Sequence, residues 1–409
     1  MISNPLLTTG LLLFLGYLGG RLANVFNLPR ITGYLLVGLI FSPSLFHILD
    51  YETVNNKLHF INDIALAIIA FNVGGSLEIR ALKGLGYQIS IITLFQALGA
   101  FLITFLSLFI LGKLCPTLLS IETINMKTWL AVSLIIGAIC AATAPGAVLA
   151  IISELGASGE FTNILLGVIA LDDALTIILF SIVGVSCQSI LGSALDVNLA
   201  FLPLLEIGLS FIIGIASGII IVITGRLIDR KEAMLMVILG ILFIATSTSN
   251  IFHASSILTN MIIGFVVVNH TYNLQGFFNA LDTLEDSIFG LFFTLAGAHI
   301  DINILKTTGI LAIIILIVRM AGKQLGVIFG AKLSNASLQV SRYLGLALFP
   351  QAGVTIGLVL LAQDLFPKNV GIIIVNSVIG SVILNEFIAP VLLHHCLKKA
   401  GQLKVNHED

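Results

Sequence analysis

The sequence predicts an all-α polytopic membrane protein of about 13 transmembrane helices, built as two inverted six-helix repeats with two broken helices. Three observations predict it. Of the 409 residues, 58% are hydrophobic and only 10% charged, with a mean hydropathy of +1.11, far more apolar than a soluble domain. Single apolar runs are long enough to cross roughly 30 Å of hydrocarbon as helices, and they lack the alternation of barrel strands. Finally, two of these runs are interrupted by proline with glycine close after it, at comparable places in the two halves of the chain.

Taken in order, falls in hydropathy, charges and Gly/Pro/Asn clusters start helices near residues 5, 31, 59, 86, 127, 162, 203, 233, 253, 284, 305, 343 and 370. The opening "MISNPLLTTGLLLFLGYLGG" has no basic n-region and no small-residue cleavage signature, so it reads as a retained first helix. Residues 1–409 form a single membrane unit. Residues 1–186 make the first repeat (helices 1–6), 203–227 a linker helix, 233–396 the second repeat (helices 8–13), and 397–409 a short tail. The repeat rests on three pairs: Gly38 in "GYLLVGLIFSP" with Gly264 in "NMIIGFVVVNH", Phe71 in "FNVGG" with Phe293 in "FTLAG", and Pro145 with Pro350. A single linker helix inverts the second repeat, and such repeats with interrupted helices place a substrate site near the bilayer midplane.

Sidedness follows from Lys and Arg. Of nineteen, twelve fall on one side: Arg21, Arg30, Arg80, Lys83, Arg226, Arg230, Lys231, Lys332, Arg342, Lys398, Lys399 and Lys404. Lys57, Lys113, Lys127, Lys306 and Lys368 share the other, which places the C-terminus in the cytoplasm and the N-terminus outside. The net charge of −2 leaves no basic footprint for a nucleic-acid partner. Cys115, Cys140, Cys187 and Cys396 lack metal spacing and read as small core residues. No nucleophile–base constellation or phosphate-binding loop stands out, so a transporter is expected, not an enzyme, and no cofactor.

The remaining two basic residues, Arg319 and Lys323, lie inside a helix, and Asp172 and Asp173 stand side by side within "ILLGVIALDDALTIILFSIVGV". Intramembrane acids are rare and mark ion pathways or proton relays. "CAATAPGAVLA" and "LALFPQAGVTIG" each break a helix, and freed backbone groups at membrane depth persist only where protein or water satisfies them. Counting from the cytoplasmic ends at about 1.5 Å per residue puts Asp172 roughly 15 Å deep, Thr143 about 16 Å, Gln351 about 12 Å and Arg319 about 18 Å. Two carboxylates, a hydroxyl, an amide and a guanidinium thus reach one level.

Burial penalises the charged form of a carboxylate, a second acid adds to the penalty and a nearby cation relieves it. Proton and hard monovalent cation therefore compete for one oxygen site, and an alternating-access motion exchanges them. Thr143, Asp172 and Asp173 are the expected cation and proton ligands, with Asp173 the main one. Arg319, which does not release its proton, is expected to pair with Asp172. Pro145, Pro350 and Gln351 support the breaks. Lys323, one turn beyond Arg319, reads either as a snorkelling lysine or bundle-internal pair, or as a group at the site. Glu154, Glu160, Glu285 and Asp286 read as a cation-attracting mouth or as solvated helix ends, and His253, His270 and His299 as interfacial histidines before pH sensors.

"LPRITGYLLVGLIFSP" from Leu28, "FNVGGSLEIR" from Phe71, "ATAPGAV" from Ala142, "ALDDA" from Ala170, "FFTLAGAHID" from Phe292 and "LFPQAGVTIGL" around Phe349 stand in an order that resembles the monovalent cation:proton antiporter superfamily, in its bacterial sodium/proton exchanger branch. The resemblance spans nearly the whole chain. It implies the sodium/proton antiporter fold, with crossed broken helices five and twelve, a six-helix core domain, a separate dimerisation domain that makes a homodimer, and an elevator-like movement. It implies that Asp172 and Asp173 match the family's ion-binding pair, and Thr143 the threonine of its broken helix. It also implies transported sodium, or lithium or potassium, against protons, in a bacterial inner membrane, for pH and cation homeostasis. Two departures stand out. Electrogenic members carry a lysine at the position that Arg319 occupies in this chain, and others have "TDP" where this chain has Thr143-Ala144-Pro145. Glutathione-gated potassium systems share the core, but their nucleotide-binding domain has no counterpart after His395. A potassium/proton antiporter, a sodium-coupled organic solute symporter of similar architecture, and a channel are the competing readings. The acid pair argues against the symporter and the channel.

Overall fold

The computed structural model describes the chain apart from residues 1–3, 27, 47, 50–51, 53–56, 76, 80–82, 116–123, 192–197, 229, 271–286, 301, 352, 364 and 401–409. Arg80, Glu285, Asp286 and Lys404 lie outside the described residues, as do the side chains of Lys231 and Lys306. The helices are α1 (Pro5–Val25), α2 (Arg30–Phe41), α3 (His59–Gly75), α4 (Gly86–Leu114), α5 (Met126–Ile139), α6 (Pro145–Leu155), α7 (Glu160–Leu191), α8 (Asn198–Gly225), α9 (Lys231–Ile251), α10 (Ser256–His270), α11 (Ser287–Ala298), α12 (Ile302–Leu333), α13 (Leu338–Ala347), α14 (Gly353–Gln363) and α15 (Lys368–Lys399). Among the described residues the chain has no β-strand. Seven of the helices contain stretches long and apolar enough to cross a bilayer: Pro5–Val25, Gly86–Leu114, Glu160–Leu191, Leu205–Gly225, Glu232–Ile251, Gly309–Leu333 and Val370–Lys399. The protein is an integral membrane protein.

Local chemistry sets several boundaries. Asn4 caps α1 by accepting from the amides of Leu6 (3.0 Å) and Leu7 (3.2 Å), with Pro5 at the first helical position, where it lacks only a hydrogen no helix would use. Asn125 caps α5 by accepting from Thr128 N at 2.8 Å. Ser337 caps α13, so that helix begins at Leu338, ahead of the expected 343. The two interrupted segments are each split: α5 stops at Ile139 and α6 restarts at Pro145, and α13 stops at Ala347 and α14 restarts at Gly353. Elsewhere α7 continues to Leu191, past the expected repeat boundary at 186, α8 begins at Asn198 rather than 203, and α15 reaches Lys399, past 396.

The chain forms two compact units, each drawing on both halves of the sequence. Unit 1 comprises Met1–Lys83, Pro145–Ser153 and Leu205–Asp301; unit 2 comprises Gly84–Ala144, Glu154–Leu204 and Ile302–Asp409.

In unit 1 small residues let helix backbones touch. A Cβ on Gly38 of α2 would come within 2.8 Å of Gly297 Cα in α11, and one on Gly264 of α10 would come within 2.7 Å of Gly75 N at the end of α3. The partners are reciprocal: the segment around Gly38 meets the "FTLAG" helix, and the segment around Gly264 meets the "FNVGG" helix. Asn269 closes the second pair, accepting from Ile79 N at 2.8 Å and donating to Leu77 O at 3.1 Å. Neutral hydrogen bonds join α9 to α10, from Ser249 Oγ to Thr259 Oγ1 (2.9 Å) and from Asn260 Nδ2 to Thr246 Oγ1 (2.8 Å). Such polar contacts replace the hydrophobic drive that lipid cannot supply between helices.

Unit 2 is centred on α4 packed along α12. A Cβ on Gly326 would lie 2.7 Å from Gln96 Cα, and one on Gly322 would lie 2.9 Å from Ala100 Cα. Around this pair, α5 packs on α4 and α7, while α13 packs on α12 and α15. Trp129 is buried where α5 meets α4, donating from Nε1 to Leu108 O at 3.0 Å.

Candidate ion-binding site

All the buried charged side chains among the described residues are in unit 2: Asp172, Asp173, Arg319 and Lys323. The two broken segments meet there, since Ala144 N donates to Pro350 O at 2.8 Å. A half-helix ending in the membrane interior leaves carbonyls without partners and a partial negative charge at its C-terminus. Both α5 and α13 end in this way at the crossing, and one side chain serves both. Arg319 donates from Nε to Cys140 O (3.0 Å), from Nη2 to Ala142 O (2.6 Å) and from Nη1 to Phe349 O (2.7 Å), with its guanidinium carbon 5.6 Å from the Phe349 ring centre. Asn385 of α15 completes the second break, donating to Phe349 O (2.9 Å) and accepting from Gln351 N (3.0 Å).

The expected pairing of Arg319 with Asp172 is therefore corrected. Arg319 spends its donors on backbone carbonyls of the two breaks, and the cation that meets Asp172 is Lys323, with Nζ 3.5 Å from Oδ2. Four residues separate the two bases, so both project from one face of α12 at successive turns. The sequence does not say which of them faces carbonyls and which faces a carboxylate. Nor does Lys323 snorkel: it is fully buried, donating to Thr143 Oγ1 at 2.6 Å and to Gln96 Oε1 at 2.8 Å.

The two aspartates differ. Asp172 is 0% exposed, and both of its oxygens are engaged: Gln96 Nε2 donates to Oδ1, and Thr143 Oγ1 and Lys323 Nζ both reach Oδ2. Asp173 is 6% exposed, and its buried Oδ1 has no hydrogen-bond partner among the described residues. Adjacent positions on a helix point about 100° apart, which lets one acid sit in a closed network while its neighbour turns away from it. Among the described residues, other buried oxygens and nitrogens without partners lie on the same helix and at or just after the second break, at Thr176 Oγ1, both amide atoms of Gln351 and Thr355 Oγ1 of α14.

Thus Thr143, Asp172 and Lys323 come together, joined by Gln96, which sequence reasoning misses. Pro350 and Gln351 stand at the second break with Arg319, while Pro145 opens α6 on the unit 1 side of the chain division. The signal for Gln96 is an amide within the apolar run "IITLFQALGAFL", and for Asn385 a similar polar residue in "SVILNEFIAP". Away from this site, Glu160 is an exposed residue in the first turn of α7. His270 bonds Val266 O of its own helix at 3.0 Å, and His299, just past the end of α11, bonds Leu295 O at 2.7 Å.

This arrangement offers a cation or proton one open carboxylate beside a second that is held by a lysine. Comparison with known proteins is consistent with that chemistry. Residues 10–399 match the family described as sodium/hydrogen exchanger, transmembrane. The high-affinity Na(+)/H(+) antiporter NhaS3 of Synechocystis sp. is 23% identical over 437 aligned positions, covering 95% of this chain and 89% of the relative. A structure of the sodium proton antiporter MjNhaP1 from Methanocaldococcus jannaschii at pH 8 superposes with a TM-score of 0.69 at 21% identity, covering 97% of this chain and 96% of that one. An electron-microscopy structure of the same antiporter gives a TM-score of 0.73 at 18% identity, covering 98% of both chains. The protein adopts the fold of these antiporters, and with the family match running through nearly its whole length, the chain belongs to the sodium/hydrogen exchanger family.

Proposed function

We propose that the chain is a secondary active antiporter that exchanges sodium for protons by alternating access and so contributes to pH and cation homeostasis. One observation carries the reading: two adjacent buried acids in opposite states, Asp172 closed by Gln96, Thr143 and Lys323, and Asp173 with an oxygen that has no partner among the described residues. A sodium ion stripped of water needs oxygen ligands and negative charge, and a proton needs the same oxygen, so the two compete at Asp173. Asp172 joins the ion when its lysine contact yields. No bound cofactor is needed, since the ion is cargo.

Several finer readings belong to this proposal. The reciprocal helix pairs of unit 1, and the matching arrangement of α4, α5 and α7 with α12, α13 and α15 in unit 2, support two inverted six-helix repeats flanking α8. On that basis the chain crosses the membrane thirteen times; the Lys/Arg distribution supports an external N-terminus and a cytoplasmic C-terminus, and the family resemblance supports a homodimer in a bacterial inner membrane.

The test is to reconstitute the full chain in liposomes and record internal pH on adding sodium, lithium or potassium. Sodium-driven proton movement that disappears in D173N is expected. Movement that survives D173N unchanged would reject the site, and a response to potassium alone would reassign the ion.

A further inference from the structure

Lys323 and Asp172 are farther apart than a charge-assisted hydrogen bond of about 2.7–2.9 Å, and two neutral groups bridge them. Thr143 Oγ1 accepts from Lys323 Nζ at 2.6 Å and donates to Asp172 Oδ2. Gln96 does the same with two different atoms, its Oε1 accepting from Nζ at 2.8 Å and its Nε2 donating to Asp172 Oδ1. Both bridges run in one sense, acceptor toward the ammonium and donor toward the carboxylate. Each stabilises the ion pair through both of its charges.

The two bridges stand on different supports. Thr143 lies in the break between α5 and α6, one residue from the Ala144 amide that holds Pro350 O. Gln96 is fully buried inside the uninterrupted α4, where Gly326 of α12 approaches its Cα so closely that an added Cβ would lie 2.7 Å away. The amide is thereby aimed from rigid backbone, and both of its ends are engaged. The glutamine amide offers an acceptor and a donor in one planar group, whereas an ionised glutamate offers acceptors alone and a leucine neither.

We propose that Gln96 is a positioning residue that sets sodium affinity by holding Asp172 to Lys323, so that a cation must displace that pair to gain the second carboxylate. The proposal rests on the exchange reading above and deepens it. If Gln96 acts in this way, removing it weakens the ion-paired state that competes with sodium. Affinity then rises while turnover falls, because the ion is released less readily. A glutamine that only packs two helices would change yield and melting temperature and leave affinity alone. One that itself ligates sodium would lower affinity when removed.

The experiment measures equilibrium binding of radioactive sodium to the purified full chain as wild type, Q96L, K323M and the double variant. Q96L is expected to lower the dissociation constant about tenfold, equivalent to about 1.4 kcal/mol, and to add nothing in the K323M background. An unchanged or raised constant in Q96L, or an equal effect in both backgrounds, overturns the proposal. Q96M, of similar volume and also without a donor, takes the place of Q96L if that variant does not fold. Should the wild type bind no sodium, the exchange reading fails on its own. The network is then judged by melting temperature: a double variant melting no lower than K323M supports the Gln96 bridge, and additive losses reject it.

Discussion

Units 1 and 2 solve the same problem, holding helices together inside lipid, with different materials. Unit 1 uses close backbone approach at Gly38 and Gly264 and neutral pairs such as Ser249–Thr259 and Thr246–Asn260. Unit 2 also uses glycine, at Gly322 and Gly326, but among the described residues it alone buries charge, and that charge is concentrated where two helices are broken. Neutral hydrogen bonds between membrane helices contribute about 0.6 kcal/mol each on average, which is enough for a scaffold and tolerant of loss. A buried ion pair adds little net stability, yet breaking it by removing one partner costs about 3–5 kcal/mol. Unit 2 thus carries groups whose energetics change sharply with what is bound, and the described residues of unit 1 bury none.

The comparison is broken most directly at the acids. D173N is expected to abolish sodium-driven proton flux while leaving the melting temperature close to wild type, because Oδ1 of Asp173 has no protein partner to lose among the described residues. A large drop in melting temperature with flux retained would make Asp173 structural. Next in size, K323M leaves Asp172 without its cation, and chemical denaturation in detergent should show a loss of about 3–5 kcal/mol. K323M combined with D172N should recover much of it, since no buried charge is then orphaned; equal loss in both variants would mean that the pair is not the source.

R319M removes donors from Cys140 O, Ala142 O and Phe349 O. Phe349 O keeps its bond from Asn385, so two carbonyls are orphaned, and at about 1–3 kcal/mol each a loss of about 2 kcal/mol or more is expected. Sodium affinity should change less than in K323M, because Arg319 touches backbone and not Asp172. An affinity effect larger than that of K323M would restore the discarded Arg319–Asp172 pairing. The smallest effect belongs to unit 1. There S249A is expected to cost about 0.6 kcal/mol and to leave exchange intact.

Much of this was legible in the chain. The polytopic helical class followed from composition, and both breaks followed from a proline with glycine close after it, at 145–146 and at 350–353. The acid pair announced itself, because an apolar run has no other use for two carboxylates. The segments around Gly38 and Gly264 resemble each other in sequence, and the structure shows that each packs against a segment of the other resembling pair, Gly38 against "FTLAG" and Gly264 against "FNVGG". The partners of the buried bases were not legible. Arg319 and Lys323 share one helical face, and choosing between carbonyl and carboxylate requires knowing how far each turn of α12 lies from the crossing. Gln96 was hidden for a related reason, since a lone amide in an apolar helix is usually helix-packing glue, and its significance lies in partners 76 and 227 residues away.

The central claim is that one buried acid alternates between proton and sodium. Its most direct measurement is proton release on adding sodium to the purified protein in weakly buffered detergent solution. Wild type should release protons in step with sodium occupancy and D173N should release none, and lowering the pH should weaken sodium binding in the wild type. Sodium binding without proton release, or release identical in D173N, would contradict the account.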